Sequence, residues 1–293
     1  MKIAFIGFGE AARAFTDTLK GKGEAEFVAA YDLRQDEAMA AEAHSRGLRF
    51  ESSAKAAIEG ADWVFAAVTA DQSLEAAKSA LSALKPGQLY IDINSVSPGR
   101  KRETAALVEA TGASYLDMAV MAPVHPRGHA TPVLIAGKAA AALEPVLAAH
   151  GFAFETVGHE VGAATAIKMV RSLFVKGLEA LTVETMLAAR ASGCLDRVMG
   201  SLAETFPGLG WPKNIEYMFE RTLRHGIRRA AEMREVAKTY DELGFVGRLA
   251  DAVADVQESQ GTIDARELRK TELSDAISEI VEKRLAHGLA HGK

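Results

Sequence analysis

The run Lys2-Ile3-Ala4-Phe5-Ile6-Gly7-Phe8-Gly9-Glu10-Ala11-Ala12 opens the chain with a short apolar stretch, two glycines one residue apart, and the start of a helical pattern. Five apolar-rich residues followed by glycine are expected as a buried strand, and Glu10–Lys20 carries apolar residues at helical spacing. Between strand and helix stands G-x-G-x-x-A. The first glycine permits a tight turn, the second lets backbone amides approach a pyrophosphate, and the small Ala12 lets helix and strand pack closely. The helix then presents its positive dipole end to the phosphates. Such a string means little alone. Here Asp32 closes a second apolar run 25 residues after Gly7, where an acid can bind ribose hydroxyls. Gly7, Phe8, Gly9, Glu10, Ala11, Ala12 and Asp32 are therefore expected cofactor contacts, the alternative being a structural turn without phosphate. A carboxylate at 32 opposes a 2′-phosphate, so NAD is favoured over NADP, while Arg34 keeps the opposite preference open.

Outward from this turn, short apolar runs alternate with helical patterns, as expected for βαβ units in a parallel sheet. Strands are expected at Lys2–Ile6, Phe27–Tyr31, Trp63–Val68, Leu89–Asp92, Tyr115–Asp117 and Val133–Ala136, with a further one at Phe152–Thr156. Helices are expected at Glu10–Lys20, Asp36–Arg46, Ser73–Leu84 and Pro98–Thr111. After Gly162 the alternation stops: residues 163–192 read as one helix of about 30 residues and about 45 Å, closed by Gly193. Beyond Leu195 only helices are expected, with a turn over 206–212 and a frayed tail from His287. A boundary near residue 160 follows, giving residues 1–160 as a cofactor-binding domain and 161–293 as an all-helical substrate and dimerisation domain.

The 293 residues suffice for two such domains, each with its own core. Hydrophobic residues at 48% and charged residues at 25% are ordinary globular values. A net charge of −5, with one short basic cluster from Arg221 to Arg234 broken by Glu232, argues against nucleic acid as a partner. The lone Cys194 excludes an internal disulfide and a cysteine-built metal cage, and fits a reducing compartment. No apolar stretch reaches membrane-spanning length and the N-terminal run is too short for a signal segment, so a cytoplasmic protein with no membrane partner is expected. The histidines lack metal-ligand spacing, so no metal is expected.

The layout resembles the β-hydroxyacid dehydrogenase family, which includes 3-hydroxyisobutyrate dehydrogenases and, more distantly, 6-phosphogluconate dehydrogenases. The resemblance rests on the glycine turn, on Asp92-Ile93-Asn94-Ser95-Val96-Ser97-Pro98 against D-x-S-T-x-x-P, on Asp117–Gly137 against the D-A-P-V-S-G-G substrate segment, and on Gly162-Ala163-Ala164-Thr165-Ala166-Ile167-Lys168 against G-x-x-x-x-x-K. It implies a Rossmann-type doubly wound, mostly parallel sheet joined by a long interdomain helix to an all-α C-terminal domain. It also implies hydride transfer between NAD(P) and a small β-hydroxy acid or related carbonyl compound, with Lys168 as acid/base. This sequence departs from the pattern: Met121 stands at the family's substrate serine, or His125 does in a rival register, and Ser172 replaces an asparagine. The C-terminal half looks most like an uncharacterised branch with a run like Arg228-Arg229-Ala230-Ala231-Glu232-Met233.

On a helix, Thr165, Lys168, Arg171 and Ser172 share one face, with Met169, Val170 and Leu173 apolar behind them. Lysine can protonate a carbonyl oxygen and recover the proton in reverse; by itself the pattern also fits a solvated basic face. Arg171 and Ser172, with Met121 and His125, are the expected contacts to a small, anionic substrate. Val68 and Thr69, and Asn94 and Ser95 after the strand Leu89–Asp92, complete the expected cofactor contacts, an Asx turn capping the Pro98 helix being the structural reading of Asn94. For His125 and Arg127 the plain reading is a surface loop, and for Arg228 an i, i+4 pair with Glu232. Leu178, Leu181 and Leu187 on the long helix present apolar faces that point to a homodimer. Two other functions remain open: C=N reduction, as in the similar imine reductases that usually lack the lysine, and a non-catalytic cofactor-binding protein.

Overall fold

The computed structural model describes residues 1–20, 25–263 and 272–290, with side chains through Ala286. They form two compact units, Met1–Val170 and Arg171–Lys293.

The first unit is built on strands β1 (Lys2–Ile6), β2 (Glu26–Tyr31), β3 (Arg49–Phe50), β4 (Trp63–Ala66), β5 (Leu89–Asp92), β6 (Ser114–Val120), β7 (Val133–Ala136) and β8 (Phe154–Gly158). They lie in the order β3-β2-β1-β4-β5-β6-β7-β8. All neighbours run parallel except β6 and β7. Side chains alternate across the sheet, so Ile3 and Phe5 face a layer of α1 (Glu10–Leu19), α2 (Glu37–Ser45) and α6 (Ala140–Ala149) through Phe15, Met39 and Leu147. Ala4 and Ile6 face α3 (Ala54–Ala57), α4 (Ser73–Ala80) and α5 (Pro98–Glu109) through Ala54, Ala77 and Val108. Burial on both faces is why β1, β4 and β5 are almost wholly apolar. The chain leaves β1 for β2 and β3 on one side and returns with β4 on the other. Between β1 and β4 the order reverses, and in open α/β sheets ligands bind at the carboxyl ends of the strands beside such a point.

Several expected boundaries shift. β4 stops at Ala66 instead of Val68, because Val68 turns aside to donate its N–H to the Asn94 side chain at 2.7 Å. β6 runs on to Val120 because antiparallel β7 pairs with it as far as Val133. β8 lies two residues later than expected, at Phe154–Gly158. β3, α3 and α6 had no counterpart among the expected elements. The first two are only two and four residues long, and Pro145 interrupts the third.

The second unit is helical. α7 (Ala163–Ala191) begins in the first unit and continues into the second, where α8 (Leu195–Thr205), α9 (Lys213–Glu242), α10 (Arg248–Gly261) and α11 (Leu273–Ala290) follow. Gly193, at φ +69°, closes α7 as expected. α11 is helical to Ala290 where a frayed tail was expected from His287; residues 291–293 lie outside the described ones. Val183, Met186, Leu195, Ile215, Phe219 and Ile280 form the core. Leu187 belongs to that core at 6% exposure, which corrects its expected place on an outer face, whereas Leu181 is 66% exposed. Among the described residues no helix is long and apolar enough to cross a membrane.

α9 and α10 touch through backbone at Gly226 and Gly261. A Cβ on Gly226 would stand 2.7 Å from the Gly261 nitrogen, and closer still to the Gln257 carbonyl oxygen. Gly226→Ala should therefore destabilise the protein by about 1–3 kcal/mol through overpacking, despite the roughly 1 kcal/mol by which alanine favours a helix. Urea unfolding measures the difference; an unchanged or raised midpoint would show that the two helices separate freely.

Candidate active site

At the end of β1 the Gly7 N–H donates to the Tyr31 carbonyl at 2.7 Å and the backbone turns at φ +86°. A Cβ there would lie 2.7 Å from Val68 Cγ1 and 2.8 Å from the Ala67 carbonyl carbon. Gly9 contrasts with it: nothing lies within 4 Å of where its Cβ would be. No side chain caps α1, whose N-cap is Gly9, so its first amides are left for a ligand. Open space above Gly9, an uncapped helix end and an acid at the end of β2 fit the pyrophosphate and ribose of a dinucleotide. Phe8 contributes differently. Its ring is buried in the core and its N–H donates to Asp32 Oδ2 at 2.8 Å, so that amide does not reach a phosphate. Asp32 Oδ1 accepts from Arg34 N at 2.9 Å, and the Arg34 side chain pairs with Asp36 at 3.0 Å. The Met39 amide and then Arg34 hold the Asp36 carboxyl below the usual range. Glu10 and Thr69 are exposed, and Ala12 is buried against the sheet.

Past the end of β5, Lys168 Nζ donates to Ser95 Oγ at 2.6 Å. Lys168 stands in the second turn of α7 and Ser95 just past β5, 73 residues apart in sequence. Asn94 beside it is 3% exposed. Its Oδ1 accepts from Val68 N, which fixes the amide, and its Nδ2 meets no acceptor among the described residues. A buried donor held in this way is available to a water or a ligand atom. Asn94 does not cap α5, contrary to the structural reading of its type. Ser97 does, accepting from Arg100 N at 3.3 Å, while Asp92 Oδ1 takes the Asn94 N–H at 2.9 Å.

Beneath these residues lies a buried ionic cluster that the sequence reading missed. β5 and β6 pair Asp92 with Asp117, so two carboxylates sit side by side in the sheet. Lys101 of α5, wholly buried, comes 3.0 Å from Asp92 Oδ1 and 3.4 Å from Asp117 Oδ1, and donates to the Asp92 carbonyl at 2.6 Å. Tyr115 donates its hydroxyl to Asp92 Oδ2 at 2.7 Å. Burial first, then the charge of Asp92, pushes the Tyr115 and Tyr90 phenols well above their ordinary range, so both stay protonated. Asp117 Oδ2 accepts from Gly162 N at 3.1 Å and Thr165 N at 3.2 Å, anchoring the start of α7. Thr165 Oγ1 donates to the Val96 carbonyl at 3.0 Å. A signal was present: Lys101 shares the face of Ala105 and Val108, a register that otherwise faces the core.

Other expected contacts scatter. Met121 packs against Ala119, Ala136 and Ala164, beside the first turn of α7. His125 and Arg127 are exposed on a loop, and His129, two residues past Arg127, bonds Thr18 of α1. On α7 itself Ser172 is buried and Arg171 exposed, so the two do not share one environment. In the helical unit Arg228 pairs with Glu232 at 2.8 Å, as the spacing implied, and Arg229 with Glu179. Among the described residues no group of side chains could hold a metal ion.

Known proteins resemble the chain in sequence and fold. Residues 2–158 match the NAD binding domain of 6-phosphogluconate dehydrogenase, and residues 189–260 match a domain of unknown function. A conserved hypothetical protein from Sinorhizobium meliloti 1021 is 33% identical, covering 97% of this chain and 96% of its own, with a TM-score of 0.74. An uncharacterised 28.5 kDa protein of Methanothermus fervidus is 28% identical over 81% of this chain and 90% of its own. The 3-hydroxyisobutyrate dehydrogenase of Mycobacterium tuberculosis shares the fold, with 20% identity, a TM-score of 0.71, and coverage of 95% of this chain and 98% of its own. With more than half of its length in the match, the chain belongs to the family defined by the NAD binding domain of 6-phosphogluconate dehydrogenase.

Proposed function

We propose that the protein moves a hydride between a nicotinamide cofactor and a small β-hydroxy acid or its carbonyl partner, with Lys168 transferring the proton. The observation that carries this reading is the 2.6 Å bond from Lys168 to Ser95 at the carboxyl edge of the sheet, next to the unpaired Asn94 donor. Bound nicotinamide supplies or accepts the hydride. Ser95 Oγ accepts one Nζ hydrogen and aims another at the substrate oxygen. Lys168 gives that proton to the oxygen as the carbonyl is reduced and takes it back when the alcohol is oxidised. Asn94 Nδ2 donates to a ligand acceptor, and the exposed Arg171, one turn past Lys168, draws an anionic group without the buried Ser172 beside it. In this reading residues 1–160 serve the cofactor and 161–293 the substrate and a dimer contact. Turnover of a panel of hydroxy acids and amines with both cofactors tests it. Oxidation of a hydroxy acid supports the proposal; amine-only turnover transfers it to C=N reduction, and binding without turnover to a non-catalytic role.

NAD(H) is expected to bind more tightly than NADP(H), because the Asp32 carboxylate keeps free lone pairs for ribose hydroxyls and repels a 2′-phosphate. Fluorescence titration of the reduced cofactors measures this. Tighter NADPH binding would mean that Arg34 exchanges Asp36 for the phosphate.

A homodimer is expected in solution through the outer face of α7, where Phe174 is 73% and Leu181 66% exposed. Light scattering that returns 31.2 kDa at micromolar concentration would exclude it.

A further inference from the structure

We propose that Lys101 is a positioning residue for the Lys168–Ser95 pair, bridging two buried carboxylates that each shape one half of it. The inference rests on the reading of Lys168 as the proton-transferring group. One half is the turn after β5. Asp92 fixes it by accepting the Asn94 N–H, and Ser95 follows directly. The other half is the start of α7, which Asp117 fixes by accepting from Gly162 and Thr165, three residues before Lys168. Lys101 reaches both carboxylates and also holds the Asp92 carbonyl.

The fold alone does not require this residue. α5 could pack on the sheet with an apolar side chain in the register of Ala105 and Val108, and a buried ammonium carries a desolvation cost that an apolar side chain avoids. What the ammonium adds is a fixed distance between Asp92 and Asp117. Without it, like charges on neighbouring strands separate or draw in water, and the Ser95 turn moves relative to the α7 terminus. The 2.6 Å bond from Lys168 to Ser95 then loosens.

The test reads Lys168 directly and requires no substrate. The full-length protein is trace-labelled with acetic anhydride at pH 8 and modification of each lysine is followed by mass spectrometry. In Lys101→Met, Lys168 should label at least about threefold faster as it leaves Ser95, with the surface lysines Lys78 and Lys138 unchanged. Ser95→Ala should reproduce the increase, and the double variant should add nothing, since both changes break one contact. Lys168 labelling at the wild-type rate in Lys101→Met, or effects that multiply in the double variant, would overturn the proposal. Should Lys101→Met fail to fold, Asp117→Asn serves in its place: its carbonyl oxygen still caps α7, while its amide faces Lys101 and breaks the bridge. The same increase is expected, and its absence counts equally against the proposal. Failure of the functional reading shows elsewhere, as undiminished turnover in Lys168→Ala, and leaves the labelling result standing.

Discussion

Replacing Lys168 with alanine is expected to lower turnover by about 10²–10⁴-fold, the usual share of general acid–base catalysis, equivalent to roughly 3–5 kcal/mol of barrier. Cofactor affinity should stay within a few-fold, because Lys168 takes no part in the Gly7–Gly9 turn or in the bonds of Asp32. The melt should be unchanged, since the side chain is only half-buried and the start of α7 is held by Asp117 and Thr165. Lys168→Arg should restore little, because a guanidinium keeps the charge yet does not release a proton near neutral pH. Single-turnover hydride transfer at saturating cofactor and substrate is the deciding measurement. A rate within about threefold of wild type with a normal melt would make Lys168 a helix residue without chemical duty.

Gly7→Ala should raise the cofactor Kd by about 10–10²-fold, or roughly 1.4–2.8 kcal/mol, and lower the melting temperature as well. Its backbone is left-handed at φ +86°, and the new methyl would meet Val68 Cγ1 at 2.7 Å and the Ala67 carbonyl, so the whole turn must shift. Gly9→Ala separates binding from folding. Open space surrounds that position at an unstrained φ of −76°, so the fold should tolerate the methyl while the cofactor meets it. Titration and melting of both variants check this. Equal melting temperatures for Gly7→Ala and wild type would mean that the Ala67–Val68 wall gives way without cost.

How much of this was legible in the sequence depends on how local the cause was. β1, its glycine turn and α1 could be read because a buried strand, a left-handed glycine and a small Ala12 leave marks within twelve residues. The long α7 and its glycine stop could be read for the same reason. β3 could not: two residues hold their place only by pairing with β2. The Asp92–Lys101–Asp117 cluster was hidden by a similar cause. A lysine in an amphipathic helix ordinarily reads as solvated, and only the register of β5 against β6 sets two carboxylates where Lys101 must go inward. At Asn94 the residue was singled out but its partner was not, because the Val68 amide that fixes it lies 26 residues upstream. Leu187 looked like the other leucines of α7, and its burial follows from the side chains of α8, α9 and α11 that share its core.

Asp32 carries two duties, and this limits how cofactor preference can change. Its carboxylate ties the Phe8 amide to the amide of Arg34, so it braces the turn in addition to the ribose contact proposed for it. A mutational path toward the phosphorylated cofactor therefore cannot simply delete the acid. On the proposed reading, alanine would remove the repulsion and release both amides together, loosening the loop assigned to the pyrophosphate. Asparagine keeps an acceptor for one of them, so drift or directed evolution toward NADP would pass through asparagine at 32 before any gain from a freed Arg34. Screening position 32 for changed selectivity should accordingly recover residues that can still accept a hydrogen bond.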